Sequence, residues 1–166
     1  MSLDYLNIFW GWPPEAAVLA ISMIPIAELR VGLPLALTAY AMSWPKAYVI
    51  AILGNLLPVI LIIEFIGPVS DWLRRKSRLA DKFFVWLFAR TRNKTVKHYE
   101  KYGLWALLAF VAIPLPMTGA WTGALAAWLF GVKTRDALIY IGLGVLIAGL
   151  IVSIITLGAK ELWFLI

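Results

Sequence analysis

Residues 23–35 decide the fold of this chain, and they read Met23-Ile24-Pro25-Ile26-Ala27-Glu28-Leu29-Arg30-Val31-Gly32-Leu33-Pro34-Leu35. An acid and a base stand here inside an apolar stretch, and each charge near the middle of a bilayer costs about 2.5–3.5 kcal/mol. Two prolines and a glycine also interrupt the helix, and broken backbone is not tolerated against lipid at that depth. The combination predicts a protein-buried or water-filled cavity, as the broken helices of transporters form.

The composition around this stretch is that of an all-α integral membrane protein. Of the 166 residues, 63% are hydrophobic and only 14% are charged, whereas a soluble domain is about half apolar and a quarter charged. We therefore predict one membrane domain over residues 1–166. The chain has no cysteine, which excludes disulfides and thiol chemistry. No catalytic, nucleotide-binding or metal-binding pattern occurs, so we expect no enzyme activity, cofactor or metal.

Four long apolar stretches follow one another along the chain: 15–44, 46–68, 104–131 and 136–158. The second and fourth match one helical span of a hydrocarbon core about 30 Å thick. The first and third are longer and are interrupted near the middle, which predicts re-entrant helical hairpins. The alternative is a long, tilted helix kinked at its prolines.

The two halves resemble each other, since Ile24-Pro25 recurs as Ile113-Pro114 and Lys46 recurs at the same offset as Arg135. We predict two inverted repeats, each a re-entrant hairpin followed by a transmembrane helix, as secondary transporters often have. Their ranges, with the segment between them, are about 13–70 for repeat one, 71–103 for a basic amphipathic segment and about 104–158 for repeat two.

Charge orients this arrangement. Ten of the 15 Lys and Arg residues lie in 71–101, which the positive-inside rule places in the cytoplasm of a multi-pass protein of the plasma or inner membrane. Within this segment, residues 79–90 are too short to span and are expected on the membrane surface near anionic lipid. A basic patch between apolar spans argues against nucleic-acid binding.

The best candidate site residue is Glu28, because a carboxylate inside a membrane protein can bind a cation, carry a proton or pair with a structural arginine. Arg30 could hold an anionic group or lock the hairpin. Since residues at i and i+2 do not face each other on a helix, the two are expected to meet different partners unless the backbone is unwound between them.

The remaining candidates are uncharged groups at the breaks and in the second stretch. They are Pro25, Asn55, Pro114, Pro116, Thr118, Gly119 and Trp121. Prolines and glycines free backbone groups that could line a substrate or proton site, and the Thr and Trp side chains would add a hydroxyl and an aromatic wall. The alternative for Gly119 and Gly123 is close helix packing through a GxxxG spacing.

Two parts of the chain resemble the small multidrug export proteins. One is the break in the first stretch, with Pro25, Glu28, Arg30, Gly32 and Pro34, and the other is Ile113 to Gly123 in the third stretch. That family is similar in turn to the DedA and SNARE-associated Golgi protein (VTT) superfamily. The resemblance implies paired re-entrant hairpins and movement of lipid-linked phosphates or phospholipid headgroups across the bilayer. Phe110 and Pro116 match the DedA pattern, but its arginine positions hold Ile113 and Gly119, so phosphate binding by those arginines is not carried over.

Together these features predict a DedA-like transporter that moves a lipid-linked phosphate or an amphiphilic small molecule through a site between the two hairpins. The alternatives are a proton-coupled exporter of cationic compounds and a non-transporting protein that organises the membrane. We expect membrane lipids and protons as partners. A homo-oligomer is expected through the small residues of the last span, among them Gly144 and Gly149.

Overall fold

A computed structural model describes residues 11–115 and 118–165, without the side chains of 94, 95, 97, 98 and 160–165. Seven helices and no strand occur in these residues, which confirms the all-α class. The helices are α1 (Pro14–Met23), α2 (Glu28–Thr38), α3 (Trp44–Lys76), α4 (Arg78–Tyr102), α5 (Leu104–Ala112), α6 (Ala120–Leu129) and α7 (Thr134–Leu165).

Two of these helices, α3 and α7, are long and apolar enough to cross a membrane. The predicted spans 46–68 and 136–158 lie inside them, so both are confirmed as continuous helices. Each helix extends beyond its predicted span, because α3 has 33 residues and α7 has 32. At 1.5 Å per residue such a helix is about 50 Å long, well beyond a hydrocarbon core of about 30 Å. The basic end of α3, Arg74 to Lys76, can therefore project out of the apolar layer.

The first apolar stretch consists of two short helices, α1 and α2, which form the first helix pair. Helix α1 ends at the predicted break, where Ile24 has the extended conformation (φ −72°, ψ 131°) that a following proline favours. The chain then doubles back, because Lys46 at the start of α3 forms an ion pair with Glu15 at the start of α1. The two ends of the pair therefore meet.

The third apolar stretch has the same plan, with α5 and α6 forming the second helix pair. Helix α5 ends at Ile113, which is again extended before a proline (φ −83°, ψ 116°). Tyr99, ahead of this pair, stacks on Phe130, just after it, with ring centroids 4.5 Å apart and an angle of 4° between the planes. Here too the two ends of the pair meet.

The chain divides into two compact units. The first contains Met1–Leu57 and Leu146–Ile166, and the second contains Pro58–Val145. The first helix pair thus packs in one unit and the second helix pair in the other, with each long helix continuing from one unit into the other.

In the first unit, Ser22 near the end of α1 is held between two glycines. A Cβ placed on Gly54 of α3 would lie 2.5 Å from the carbonyl oxygen of Leu19 and 2.9 Å from the Cβ of Ser22. A Cβ placed on Gly32 of α2 would lie 3.3 Å from the Cβ of Ser22 and closer still to its hydroxyl. We call Gly32 and Gly54 around Ser22 the first glycine clamp.

In the second unit, Val111 near the end of α5 is held in the same way. A Cβ on Gly144 of α7 would lie 2.9 Å from the carbonyl oxygen of Leu108 and 2.8 Å from the Cβ of Val111. A Cβ on Gly123 of α6 would lie 2.6 Å from Cγ2 of Val111. Gly123 and Gly144 around Val111 form the second glycine clamp.

The clamped residues are equivalent along the sequence as well. Val111 follows Ser22 by 89 positions, and Ile113 follows Ile24 by the same 89 positions. In each unit the clamp is made by a glycine of the second short helix and a glycine of a long helix. Similar packing thus accompanies each of the two Ile-Pro pairs.

The clamps correct the expected role of two glycines of α7. Gly144 packs on α5, and a Cβ on Gly149 would lie 2.8 Å from the ring of Tyr48. Both glycines therefore pack within the chain, and the homo-oligomer stays a prediction for which other residues of α7 are the better candidates. Gly142 differs, because a Cβ there would meet nothing within 4 Å.

Candidate functional site

Glu28 lies at the break of the first helix pair, as the first residue of α2. It is only 4% exposed, and its backbone is left-handed with φ 49°. For a residue with a Cβ, this conformation is uncommon and costs about 1–2 kcal/mol. Its amide donates a hydrogen bond to the carbonyl oxygen of Ile24, with N and O 2.9 Å apart. The break therefore holds a buried acid in a conformation that sequence reasoning does not predict.

The left-handed conformation changes the relation between Glu28 and Arg30. On a regular helix they would point apart, yet Nη2 of Arg30 lies 4.0 Å from Oε2 of Glu28. The two side chains thus approach each other although both residues belong to α2, and the left-handed backbone of Glu28 is the local departure from a regular helix. The Arg30 side chain is 21% exposed against 5% for that of Glu28, so the acid lies deeper than the base.

Two further polar side chains are buried in the same unit. Ser22 and Asn55 are 0% and 1% exposed, and neither Oγ of Ser22 nor Oδ1 of Asn55 has a hydrogen-bond partner within the part of the chain that the structure describes. Buried polar atoms are nearly always hydrogen-bonded, and leaving one unsatisfied costs about 1–3 kcal/mol. An ion, a water molecule or a substrate can bind at such atoms.

These polar groups lie on three helices, each within about one helical turn of a member of the first glycine clamp. Ser22 is the clamped residue of α1. Asn55 directly follows the clamp glycine Gly54 on α3, and Glu28 precedes the clamp glycine Gly32 by about one turn of α2. We call Ser22, Glu28, Arg30 and Asn55 the polar site.

Three of the four members of the polar site are predictable from the sequence, and Ser22 is not. A single serine in an apolar helix is usually a packing residue, so its type gives no signal. The informative feature is its position two residues before the Ile24-Pro25 break. Pro25 itself lies exposed at the tip of the break, where it ends α1 and contributes shape rather than a polar group.

The predicted site residues of the third apolar stretch, 104–131, lie in the other unit, and Thr118 has a local role there. Its hydroxyl donates hydrogen bonds to the carbonyl oxygens of Ile113 and Leu115, over 2.9 and 2.7 Å. These carbonyls border Pro114, which cannot donate a backbone hydrogen bond to a neighbouring carbonyl. Thr118 thus adds hydrogen bonds at the break to two carbonyls that also accept from backbone amides, that of Ile113 from Leu115 and that of Leu115 from Thr118.

The other residues of this stretch serve packing and chain direction. Gly119 has φ 128°, a conformation open to glycine, and stands immediately before α6. Trp121 lines a cavity of about 180 Å³ with the apolar side chains of α3. Gly123 packs on Val111, which supports the alternative of close helix packing for that glycine. The predicted site residue Pro116 lies outside the described residues.

A larger apolar groove runs along α5 toward the break. It encloses about 610 Å³ and is bordered by Tyr102, Trp105, Phe110, Leu115 and Thr118 among others. Its walls are aromatic and aliphatic, and a groove of this volume is in the range of small-molecule sites. It can accommodate the apolar part of an amphiphile.

Metal chemistry finds no support in the residues described. No group of three or more His, Cys, Asp or Glu side chains comes together there. Besides the guanidinium of Arg30, the polar site offers one carboxylate, one amide oxygen and one hydroxyl, a set suited to a proton, a cation or a hydrogen-bonding substrate.

These features define a class of protein. Two long helices are apolar enough to span a membrane, and their outward faces expose large aliphatic side chains such as Leu53 and Ile154. The molecule is an all-helical membrane protein with a buried polar site at a broken helix.

Comparison with known families then shows to which family the chain belongs. The sequence profile of the family described as "Putative small multi-drug export protein" matches residues 28–151. The chain belongs to this family, which confirms the predicted resemblance to the small multidrug export proteins. The matched region begins at Glu28 and includes Arg30, Asn55 and the whole second helix pair. No curated protein and no solved structure matches the chain.

Proposed function

We propose that this protein exports cationic amphiphilic small molecules and that the polar site is where a proton and the substrate bind. The observation that carries the proposal is the buried Glu28 in the same unit as the buried oxygens of Ser22 and Asn55, which have no hydrogen-bond partner among the described residues. An ionisable residue inside a membrane protein is a functional site by default, because its burial is costly. The family description supports an export role.

A proton gradient is the proposed source of energy. The sequence contains no phosphate-binding glycine loop of the GxxxxGK[ST] type, so we propose a transporter rather than an ATP-driven pump or an enzyme. In the proposed cycle, ionised Glu28 attracts a cationic substrate, and a proton taken up on the opposite side of the membrane displaces it. The proton leaves when the carboxyl next meets the first side.

A second candidate is movement of a lipid-linked phosphate, as the resemblance to the DedA superfamily implies. Arg30 favours it, because this guanidinium is the only Lys or Arg in residues 1–45 and is more exposed than Glu28. Guanidinium groups bind phosphate through paired hydrogen bonds. The cation exporter ranks first because the family description supports drug export, and because a phosphate bound to Arg30 would stand close to the carboxylate of Glu28, whose Oε2 lies 4.0 Å from Nη2 of Arg30.

We also propose that both helix pairs are re-entrant. Their helices have 9–11 residues, which at 1.5 Å per residue is about 14–17 Å, or half of a hydrocarbon core of about 30 Å. The contacts of Glu15 with Lys46 and of Tyr99 with Phe130 support entry and exit at one face. With 71–101 in the cytoplasm of the plasma or inner membrane, the first pair enters from outside and the second from the cytoplasm, which gives inverted repeats.

A homo-oligomer completes the proposal, since two spanning helices enclose little space. Its face would not be the glycines packed inside the chain but an exposed stripe on α7 formed by Ile139, Leu143, Leu146, Leu150 and Ile154. Their spacing of three or four residues is that of helix–helix seams.

The test of the proposed function is transport by purified protein in liposomes. With an imposed pH gradient, the protein should move ethidium, a cationic amphiphile, faster than empty liposomes do. Glu28→Gln removes the charge while keeping the shape, and it should reduce gradient-driven ethidium movement to the level of empty liposomes. Glu64→Gln is the matched control, because Glu64 is an exposed acid on α3, and it should transport like the native protein.

The same liposomes separate the alternatives. If a fluorescent lipid phosphate crosses the bilayer, and Arg30→Gln stops it while Glu28→Gln does not, the second candidate is right. If neither compound moves and Glu28→Gln only lowers the melting temperature, Glu28 is structural and the protein organises the membrane without transport. Because Arg30 is partly exposed, that structural loss should be smaller than the about 3–5 kcal/mol of a fully buried pair.

A further inference from the structure

Helix α4 has two different apolar faces, and only one of them is covered. The covered face carries Phe84, which is 8% exposed, and Phe88, whose ring centroid lies 5.1 Å from that of Trp128 in α6. Thr91, one turn beyond Phe88, is buried on the same side. This face fixes α4 to the second helix pair.

The opposite face carries large apolar side chains that no other part of the described chain covers. Leu79, Phe83 and Trp86 are 81%, 53% and 52% exposed. Their spacings of four and three residues put them on one side of the helix. We call these three residues the outer face of α4.

Positive charges surround the outer face. Arg78 and Lys82 stand directly before Leu79 and Phe83 in the sequence and are exposed. The guanidinium carbon of Arg90 lies 5.2 Å from the centroid of the Trp86 ring, within the range of a cation–π contact. Acidic residues are few in this region, since 71–101 contains three against ten Lys and Arg.

The hydrocarbon core cannot cover the outer face. Helix α4 carries nine charged residues among its 25, and only α3 and α7 qualify as spanning helices among the described residues. Water is also a poor environment for three adjacent large apolar side chains. An amphipathic helix with apolar residues flanked by Lys and Arg suits the boundary between headgroups and acyl chains of an anionic leaflet.

We propose that the outer face of α4 is a binding surface for anionic lipid, with Leu79, Phe83 and Trp86 inserted at the acyl boundary and Arg78, Lys82 and Arg90 on the lipid phosphates. This lipid contact is separate from export and does not depend on it, because it concerns the outer face of α4 and not the polar site. The joint between α3 and α4 supports it. Nε of Arg74 lies 2.7 Å from Oδ1 of Asp81, which ties the start of α4 to the end of a spanning helix, where the membrane surface is.

Because the chain lacks cysteine, spin labels at single cysteines can test the proposal in the full-length protein. Leu79→Cys and Phe83→Cys report the outer face. Arg92→Cys is the control, because Arg92 is exposed on α4 but lies off that face. Each labelled protein is placed in vesicles of phosphatidylcholine, with or without phosphatidylglycerol, and collisions with oxygen and with a water-soluble nickel complex are measured.

The outer-face labels should collide with oxygen and be shielded from nickel, more so when phosphatidylglycerol is present, while the control label stays open to nickel. Arg78→Gln combined with Lys82→Gln should abolish the added effect of phosphatidylglycerol. Nickel access at positions 79 and 83 equal to that at position 92 would overturn the proposal. Spin–spin broadening that disappears on dilution with unlabelled protein would overturn it too, because a second copy would then cover the face.

Discussion

At the scale of single residues, glycines determine how closely the helices approach each other. Gly142 and Gly144 lie two positions apart on α7, and the same side chain would meet opposite surroundings at the two sites. At Gly144 the nearest atoms include the backbone oxygen of Leu108 at 2.9 Å, which cannot turn aside as a side chain can. At Gly142 nothing lies within 4 Å.

Alanine at these two positions should therefore change stability in opposite directions. Gly144→Ala should destabilise the protein by about 1–3 kcal/mol through overpacking. Gly142→Ala should be neutral or stabilise it by up to about 1 kcal/mol, because alanine is the better helix former. Melting temperatures of the two variants in one detergent provide the measurement. Equal melting of both variants would mean that α7 does not pack on α5 at Gly144.

At the scale of elements, the first helix pair is closed by a contact at its ends. The hydrogen bond from Lys46 lowers the pKa of the Glu15 carboxyl below its ordinary value, and the charge of Lys46 lowers it further. A carboxyl whose pKa is lower in the folded state contributes stability above its unfolded pKa of about 4.3. That contribution is lost as the pH falls through the folded pKa.

Lys46→Met should accordingly lower the melting temperature at neutral pH and have little effect well below pH 4, where Glu15 is protonated in both proteins. The effect should be small and should shrink in high salt, because both side chains are exposed. Melting curves of the native and Lys46→Met proteins across this pH range provide the test, with Asp71→Asn as an exposed control. A difference that persists unchanged in acid would mean that Lys46 stabilises the protein without Glu15.

Local patterns in the sequence predict the elements well and their contacts poorly. The breaks at Ile24 and Ile113 are predictable because proline restricts the residue before it, and the spans are predictable from apolar length. The partners of Gly144 and Thr118 are not predictable in this way, since one is a helix distant in sequence and the other a carbonyl freed by a particular turn. For the same reason Glu28 and Asn55 emerge as buried polar residues, whereas the left-handed backbone of Glu28 and the clamped Ser22 do not.

At the scale of the whole molecule, the order of the helices predicts on which side of the membrane each connecting segment lies. A re-entrant second helix pair returns the chain to the face it started from, whereas a kinked full span would carry it across. Residue 133, which directly follows this pair and is exposed, reports the difference.

A cysteine at Lys133 should label from the same side as one at Ser77, and a cysteine at Ser43 should label from the other side. Membrane-impermeant maleimide applied to intact cells, and then to inverted membranes, measures this. Labelling of positions 133 and 77 from opposite sides would show that the second helix pair crosses the membrane once.

The two glycine clamps hold different residues on the same plan, a serine in the first unit and a valine in the second. This difference implies a trade-off between stability and activity within one chain. The buried hydroxyl of Ser22 has no hydrogen-bond partner among the described residues and therefore lowers stability, whereas the side chain of Val111 buries no polar atom. Ser22→Val should therefore raise the melting temperature, provided that the first clamp accommodates valine as the second does, and should lower ethidium export. A variant that exports as well as the native protein would show that the hydroxyl is not retained for function, and one that melts lower would show that the first clamp does not accommodate valine.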